Sequence, residues 1–475
     1  MMDYKSLHDL DIKYLWHPCT EINFFESFKE GDFPIIERAK GVYLYEVGGR
    51  PLLDGIASWW CVNLGHGHPR LIEAIQEQAG KLQHAILGGM SHPNAIHLAE
   101  QLARLTPGDL SHSFFASDGA SAVEAALKIA VQYWANLGEK NRTKFVGLEE
   151  GYHGDTLGAM GVGYVEAFHR DYKEVVKPAY HALSPHCAQC PCGKEPETCD
   201  IECFDSPAQI LQEHNKDAET RGTQCLDSMA QILREHNKEI AAVIVEPLCQ
   251  AAAGIRIYPE EYLRRLRKTC DEYSLILIAD EIAVGFGRTG SMFACERAGI
   301  VPDIMTVGKG ITGGYMPLSA AIVNDTIYDS FRNTKDGRDL SRAVSRDKTF
   351  YHSHTFGGNP IITGLALAAI ETYEKEKVLE KCQPRIKQLE QGMRRLGEML
   401  GGSKVRALGM MAVIEIDDAS GGAGRASRIV RKAYELGLFL RPRGRAIYLW
   451  PPLVITETEL GQMLSILGEA INQTG

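Results

Sequence analysis

Lys309 and Asp280 each follow an apolar segment of the 475-residue sequence. Lys309 stands between glycines in VGKGITGGY, just after the apolar run IMTV, and Asp280 ends the run LILIAD. Open α/β sheets bind ligands at the carboxyl ends of their strands, so the two side chains are expected to meet in one crevice. A lysine amine can bind an aldehyde as a Schiff base, and a carboxylate can keep a basic ring nitrogen protonated. A structural ion pair at the sheet edge is the alternative, and these two residues alone favour it.

Other segments supply groups that this chemistry needs. In SDGASAVEAALK, the backbone N–H groups of Gly119 and Ala120 would open a helix and face a phosphate at the positive end of its dipole, although such a turn can be a simple helix cap. Tyr152, in GYHGDT, suits stacking on an aromatic ring or an ordinary loop position. Trp59 and Trp60 fit core filling and pocket lining equally well. Aldehyde, ring nitrogen and phosphate are combined in pyridoxal 5'-phosphate, which is the predicted cofactor.

Short β-branched runs alternate with longer helical patterns, which is typical of an α/β protein with a largely parallel sheet. The length indicates two domains. We predict a large domain over 57–374, with a mainly parallel central sheet flanked by helices, and a smaller α+β domain built from 1–56 and 375–475. The clearest strand predictions are 241–246, 275–280 and 304–307, and the clearest helix predictions are 122–134, 259–273 and 379–400.

Composition and charge exclude several classes of function. Hydrophobic residues make up 44% of the chain and charged residues 24%, as in ordinary globular proteins. The formal net charge of −10 provides no basic field for nucleic acid or anionic lipid. No apolar stretch approaches the roughly 18 residues that span a bilayer, and the first residues lack the apolar core of a signal peptide. We therefore expect a cytoplasmic protein without nucleic-acid or membrane partners.

A cysteine-rich loop and a duplicated segment occupy residues 186–238. His186 and five cysteines lie in HCAQCPCGKEPETCDIEC, where Cys187 and Cys190 have the spacing of a zinc knuckle. Only one such element is evident, so free thiols are favoured and no metal site is predicted. The stretch CFDSPAQILQEHNK (203–216) recurs as CLDSMAQILREHNK (225–238), and two copies are too few for a solenoid. We expect the second copy to occupy the structural position, because it runs straight into the strand at 241–246.

The order of these motifs along the chain resembles that of the class III, pyridoxal-phosphate-dependent aminotransferases of fold type I. Within the class, the tryptophan pair, GYHGDT and LRPRGRAIYLWPP favour the branch that serves biotin biosynthesis. The resemblance covers nearly the whole chain and is carried by WHPCT, DGIASWWCVNLGHGHP, SDGASAVEAALK, GYHGDTLGAM, AAVIVEPLCQAAAG, LILIADEIAVGFGRTGSMFACE, VGKGITGGYMPLSA, HTFGGNP and LRPRGRAIYLWPP.

The resemblance implies a role for each matching residue. Lys309 would hold the cofactor as a Schiff base, Asp280 would contact its ring nitrogen, and Tyr152 would stack on the ring. Gly119 and Ala120 would hold the phosphate. Thr355 of HTFGGNP would reach the phosphate in a neighbouring subunit, so that a homodimer shares its active sites. Substrate contacts are implied at Trp59, Tyr152, Asp155, Arg288 and Arg441.

The implied reaction is transamination of 8-amino-7-oxononanoate, the oxo-acid acceptor, to 7,8-diaminononanoate, with S-adenosylmethionine as the amino donor. Cys19 stands where this branch commonly has tyrosine. The smaller side chain leaves lysine open as the donor, and another class III activity on ω-amino acids or diamines stays open too. A non-catalytic metal or redox sensor is a third hypothesis, against which the complete set of Asp280, Lys309 and Thr355 argues.

Overall fold

A computed structural model describes residues 4–26, 33–190, 192–194, 199–205, 228–332, 348–417 and 422–474. In chain order the strands are β1 Ile36–Lys40, β2 Tyr43–Glu46, β3 Pro51–Asp54, β4 Leu110–Ala116, β5 Lys144–Leu148, β6 Tyr180–Ala182, β7 Ile240–Val245, β8 Cys249–Gln250, β9 Arg256–Ile257, β10 Ile276–Asp280, β11 Ile304–Val307, β12 Ser319–Asn324, β13 Lys404–Leu408, β14 Met411–Glu415, β15 Leu438–Phe439 and β16 Ala446–Leu449.

The helices separate these strands along the chain. They are Tyr4–Tyr14, Ile22–Glu26, Pro69–Ala79, Pro93–Leu105, Gly119–Asn136, Leu157–Val162, Glu166–His169, Glu202–Asp205, Met229–His236, Glu260–Glu272, Ala294–Ala298, Asp325–Ser330, Pro360–Lys375, Val378–Met399, Gly422–Glu435 and Glu457–Thr474, with short 3₁₀ turns at Arg170–Tyr172, Cys187–Gln189 and Lys309–Thr312. The segment Ala57–Trp60 closes helical hydrogen bonds with left-handed backbone angles.

The central sheet has the strand order β4-β12-β11-β10-β7-β5-β6. From β11 to β6 every pairing is parallel, whereas β12 runs antiparallel to both β11 and β4. The α/β fold of a large, mostly parallel sheet flanked by helices is thus confirmed.

Both faces of this sheet are buried, which is why its central strands consist almost wholly of apolar residues. Alternate residues of β10 enter different cores: Leu277 packs in one cluster, and Ile276 and Ile278 in the other. Helix Gly119–Asn136 covers one face, and helix Glu260–Glu272 covers the opposite face. Because the strands are held from both sides, their carboxyl ends form a firm base for functional side chains.

The two ends of the chain meet in smaller sheets. Strands β1, β2 and β3 share a sheet with β15, and β3 pairs with β15 in parallel. Strands β13, β14 and β16 form a second, antiparallel sheet. A terminal domain drawn from both chain ends requires such a pairing, and its boundaries at 57 and 375 stay predictions.

The second copy of the duplicated segment supplies helix Met229–His236, which leads directly into β7. Most of the first copy, from 206 onward, lies outside the described residues. No helix in the described ranges combines the length and the apolar character needed to cross a bilayer.

Candidate active site

Lys309 lies just beyond β11, in a turn that glycines make possible. Its own backbone is left-handed, with φ of 41°, and Gly313 and Gly314 that follow also have positive φ. A Cβ at Gly310 would come within 2.5 Å of the Asn63 amide, and one at Gly314 within 2.8 Å of the Val62 backbone. The glycines around Lys309 are therefore required by close packing as well as by backbone angle.

The Lys309 amine sits in an apolar setting with carboxylates nearby. Its Nζ lies over the Trp60 ring, 5.5 Å from the centroid. Burial lowers the pKa of Lys309, and the negative charges of Asp280 and Glu246 oppose that shift. A lysine with a lowered pKa gives up its proton more readily than a surface lysine, as a nucleophile or general base must.

Asp280 ends β10 and is held by three bonds. Its Oδ2 lies 2.7 Å from His153 Nδ1, and its Oδ1 accepts from Thr306 Oγ1 at 3.2 Å and from the Ile282 N–H at 3.1 Å. Both Asp280 and His153 are buried. These bonds fix the orientation of the carboxylate, whose negative charge acts on Lys309.

Tyr152 lies beside this pair, anchored through its backbone. Its N–H donates to Glu246 at 3.0 Å, and its hydroxyl donates to Asp155 Oδ2 at 3.0 Å. Burial raises the pKa of Glu246 to about 7. Burial of Tyr152 itself, together with the nearby charge of Asp155, raises the pKa of its hydroxyl. The hydroxyl therefore stays protonated and serves as a donor.

The start of helix Gly119–Asn136 presents free backbone donors. The Asp118 side chain caps Ser121 N at 3.0 Å, whereas the N–H groups of Gly119 and Ala120 have no acceptor within the described part of the chain. A Cβ at Gly119 would lie 3.0 Å from Ile282, and one at Gly308 would lie 3.3 Å from the same side chain. The helix start and the Lys309 turn therefore face one another across Ile282, as a phosphate site beside the lysine requires.

A cavity of about 1960 Å³ opens above Lys309. Its lining includes residues that the sequence predicts for the site, together with further basic side chains. The predicted members are Cys19, Trp59, Trp60, Tyr152, Asp155, Lys309 and Arg441, and the added basic members include Arg256, Arg406, Arg443, Arg445 and Lys404. The volume suits substrates of considerable length.

The tryptophan pair enters the cavity from a left-handed turn. Four successive residues without glycine, Ala57–Trp60, have φ between 44° and 72°. The buried Asp54 carboxylate holds this turn: it accepts from Ser58 N at 3.0 Å, from Ser58 Oγ at 2.7 Å and from His66 Nε2 at 2.9 Å. Backbone strain of this kind is typical of segments that position functional side chains.

Arg288 and Thr355 lie apart from the cavity lining. The Arg288 guanidinium is buried and donates to the carbonyls of Met410 at 3.0 Å and Pro451 at 2.7 Å, and to Asn63 Oδ1 at 2.6 Å. These bonds place it as a brace between chain segments beneath the pocket. Thr355 is exposed, in a turn, and does not line this cavity.

The cysteine-rich loop contributes to the same cavity, and its lining residues include Cys187 and Cys190. Burial raises the pKa of the Cys187 thiol to about 11. Among the described residues, no group of three or more His, Cys, Asp or Glu side chains is arranged to hold a metal ion.

Sequence reasoning missed His153, Glu246, Asp54 and Arg443. His153 adjoins the predicted Tyr152 in GYHGDT, so a histidine beside a pocket tyrosine was the available signal. Glu246 closes the strand prediction at 241–246, where a carboxylate at a strand end was an equal signal. Asp54 and Arg443 stand in no sequence pattern that indicates which residues they contact.

Comparison with known proteins identifies the family of the chain. Residues 28–471 match the family model described as aminotransferase class-III. The adenosylmethionine-8-amino-7-oxononanoate aminotransferase of Methanocaldococcus jannaschii is 38% identical, over 99% of both chains, and that of Aquifex aeolicus is 38% identical over 99% of this chain and 98% of the relative.

Solved structures give the same picture. A crystal structure of the Methanocaldococcus jannaschii protein aligns with a TM-score of 0.84 at 36% identity, covering 99% of both chains. A thermostable (S)-enantioselective ω-transaminase from Thermomicrobium roseum aligns with a TM-score of 0.85 at 29% identity, over 100% of this chain and 99% of the other.

Proposed function

Because the chain belongs to the class III aminotransferases, we propose that it transfers an amino group to 8-amino-7-oxononanoate, giving 7,8-diaminononanoate for biotin biosynthesis. Relatives that carry this activity in their names match it over nearly their full length. The observation that carries the proposal is that Lys309 lines the cavity while the charge of the buried Asp280 carboxylate acts on its amine. That the chain is an aminotransferase follows from the family itself.

Class III aminotransferases use pyridoxal 5'-phosphate, and the donor groups described above fit it. Lys309 would bind its aldehyde carbon, Asp280 its ring nitrogen, and the N–H groups of Gly119 and Ala120 its phosphate. Tyr152 would lie against the ring. When bound, the cofactor supplies a protonated ring that accepts electrons from the substrate carbon.

The chain itself contributes proton transfer and orientation. Lys309 Nζ, with its lowered pKa, takes the proton from the donor carbon and returns it during the second half of the reaction. Asp280, oriented by His153, would keep a positive charge on the cofactor's ring nitrogen. The Trp60 ring covers the Lys309 amine and helps to exclude water from it. Since donor and acceptor use the same site in turn, the kinetics are ping-pong.

S-adenosylmethionine is the proposed donor, since the names of the relatives refer to it. Cys19 lines the cavity near Tyr152, and its small side chain leaves space where a tyrosine would fill it. That space keeps lysine as the competing donor. An activity on ω-amino acids or diamines is the second candidate, supported by the structural likeness to ω-transaminases.

The active form is a homodimer in the cytoplasm. Apolar side chains close to Thr355 in sequence are exposed, Tyr351 at 67% and Phe356 at 62% of their full area, and a partner subunit would bury them. Thr355 would then reach the phosphate held by the other subunit. The cysteines within the described ranges carry free thiols, which suits a reducing compartment.

The test is a screen of half-reactions on the purified holoenzyme. The protein should be yellow and bleach with borohydride, and Lys309→Ala should lose both properties. S-adenosylmethionine, lysine and an ω-amino acid are each added without acceptor, and loss of the yellow colour identifies the donor. Addition of 8-amino-7-oxononanoate should restore the colour and yield 7,8-diaminononanoate by mass spectrometry; recovery with pyruvate alone would instead favour the ω-transaminase candidate.

A further inference from the structure

His169 is a buried histidine at the wall of the cavity, and both of its ring nitrogens have partners. It ends the helix Glu166–His169, and 1% of its area is exposed. The Val165 N–H donates to its Nδ1 at 3.1 Å. Because a backbone N–H can only donate, Nδ1 is the unprotonated nitrogen and the ring hydrogen is on Nε2.

The protonated nitrogen of His169 faces the Asp155 carboxylate, with 3.5 Å between Nε2 and Oδ1. The other carboxylate oxygen, Oδ2, accepts from the Tyr152 hydroxyl at 3.0 Å. The hydrogen bonds from His169 and from Tyr152 lower the pKa of Asp155, while burial opposes them. A chain of three contacts therefore runs from the Val165 backbone through His169 and Asp155 to the Tyr152 hydroxyl.

Asp155 needs such an anchor, because its side chain is 70% exposed. An exposed carboxylate changes rotamer at little cost, and a hydroxyl that donates to it would move as well. The His169 ring is bonded to backbone on one side and stacks on the Tyr152 ring, with 6.2 Å between centroids and 20° between planes. Of the two groups that hold Asp155, His169 is thus the one fixed in the core.

These contacts hold Tyr152 at both ends. Its backbone N–H donates to the buried Glu246, and its hydroxyl donates to Asp155. Tyr152, Asp155 and His169 all line the cavity that Lys309 also lines. A side chain fixed at both ends presents its ring and its hydroxyl in one orientation, which a reaction that depends on alignment requires.

We propose that His169 is a positioning residue of the transamination: it holds Asp155, and through Asp155 the Tyr152 hydroxyl, in the orientation that the substrate meets. The inference rests on the proposed function, in which Tyr152 lies against the cofactor ring and Asp155 contacts the substrate. The Val165 N–H fixes the tautomer of His169, so the ring orients its neighbours and exchanges no proton with the substrate.

The first arm of the test separates the two bonds of the ring. His169→Asn keeps an amide oxygen near the position of Nδ1, where it can accept from Val165, and has no atom in place of Nε2. His169→Gln reaches the position of Nε2 and can donate to Asp155. With S-adenosylmethionine or lysine, whichever bleaches the yellow holoenzyme, the half-reaction at saturating donor should slow roughly 5- to 15-fold in His169→Asn. His169→Gln should restore it to within about threefold of wild type.

The circular dichroism of the cofactor's absorption band provides a readout that needs no turnover. The band should change in His169→Asn, because Tyr152 can then turn against the ring, and should match wild type in His169→Gln. His236→Asn is the matched control, since His236 also stacks on a tyrosine, Tyr180, and contacts an acid, Glu239, but does not line the cavity. It should leave both the rate and the band unchanged.

The second arm leaves His169 in place. Asp155→Ala alters an exposed side chain and should slow the half-reaction at least as much as His169→Asn does. Adding His169→Asn to Asp155→Ala should slow it no further, because residues that act through one another give non-additive losses.

A wild-type rate in His169→Asn would overturn the inference, and so would an equal loss in His169→Asn and His169→Gln. Additive losses in the double variant would give His169 a role separate from Asp155 and overturn it as well. A wild-type rate in Asp155→Ala overturns it even where His169→Asn does not fold, because Asp155 then has no orientation that matters. Failure of the wild-type enzyme to aminate 8-amino-7-oxononanoate refutes the proposed function instead, and the half-reaction, which needs no acceptor, still decides the role of His169.

Discussion

Removing the Asp54 carboxylate should release the turn that carries Trp59 and Trp60. Asp54 is fully buried and accepts hydrogen bonds from three groups within 3.0 Å: Ser58 N, Ser58 Oγ and His66 Nε2. Asp54→Asn keeps one of the two oxygens. The other is replaced by an NH2 group, which cannot accept the hydrogen bonds that the lost oxygen accepted. Each hydrogen bond to a buried charged group contributes about 1.5–3 kcal/mol.

Losing two of these bonds gives an expected destabilisation of about 3–5 kcal/mol. The turn itself adds to the effect, because residues in the left-handed region cost about 1–2 kcal/mol each and rely on such bonds to stay there. For a chain of 475 residues, whose unfolding entropy is about 1 kcal/mol/K, the corresponding fall in Tm is roughly 3–5 °C. The turn should also relax, which displaces Trp60 from Lys309 and lowers kcat/KM for the acceptor.

Thermal unfolding followed by circular dichroism, with the two half-reactions measured on the same samples, checks this prediction. Ser58→Ala removes only the hydroxyl bond and should cost about 1 kcal/mol. Asp329→Asn breaks an exposed pair with Arg332 and should change stability by less than about 0.5 kcal/mol. If Asp54→Asn unfolds within 2 °C of wild type, with both half-reactions intact, the Asp54 bonds do not hold the turn and the reasoning is wrong.

Three further outcomes are expected. His153→Ala should slow the donor half-reaction roughly 10- to 100-fold by stopped-flow absorbance, because Asp280 loses its 2.7 Å partner; an unchanged rate would contradict the orienting role. Burial raises the pKa of Glu281 to about 7, so folding takes up a proton between about pH 4.5 and 7 and the native state loses stability as the pH rises through that window. Urea unfolding of wild type and Glu281→Gln at two pH values tests this. The stability advantage of wild type over the variant should be about 3 kcal/mol smaller at pH 8 than at pH 4.5. The same advantage at both pH values would refute the prediction. Exposed Cys19 should react with a disulfide reagent in the native protein, whereas Cys270, whose pKa burial raises to about 12, should react only after unfolding, as peptide mass spectrometry would show.

The sequence was informative where hydrophobic pattern and strand ends coincide. The predictions at 241–246, 275–280 and 304–307 differ from β7, β10 and β11 by at most one residue at either end. Their buried runs are unambiguous because both faces of the sheet are covered. The direction of β12, antiparallel within the sheet, was not predicted, since an apolar run does not encode the direction of its strand.

Contacts between distant segments explain what sequence reasoning missed in the site. His153 and Asp280 are 127 residues apart, and Tyr152 N and Glu246 are 94 apart. Neither contact can be predicted from the local periodicity of the sequence. The left-handed turn at Ala57–Trp60 contains no glycine to signal it, because the Asp54 side chain, not the residue type, stabilises its backbone.

The surroundings of each arginine decide whether it braces the fold or is available to a ligand, and residue type alone does not. Arg288 donates three bonds to oxygen atoms of its own chain, and burial lowers its pKa to about 9. Arg406 is likewise bound to Glu415 and to the carbonyls of Gly254 and Ile255. Guanidinium groups bound in this way have little capacity left for a substrate, whereas Arg441 and Arg443 face aromatic rings that leave their N–H edges available.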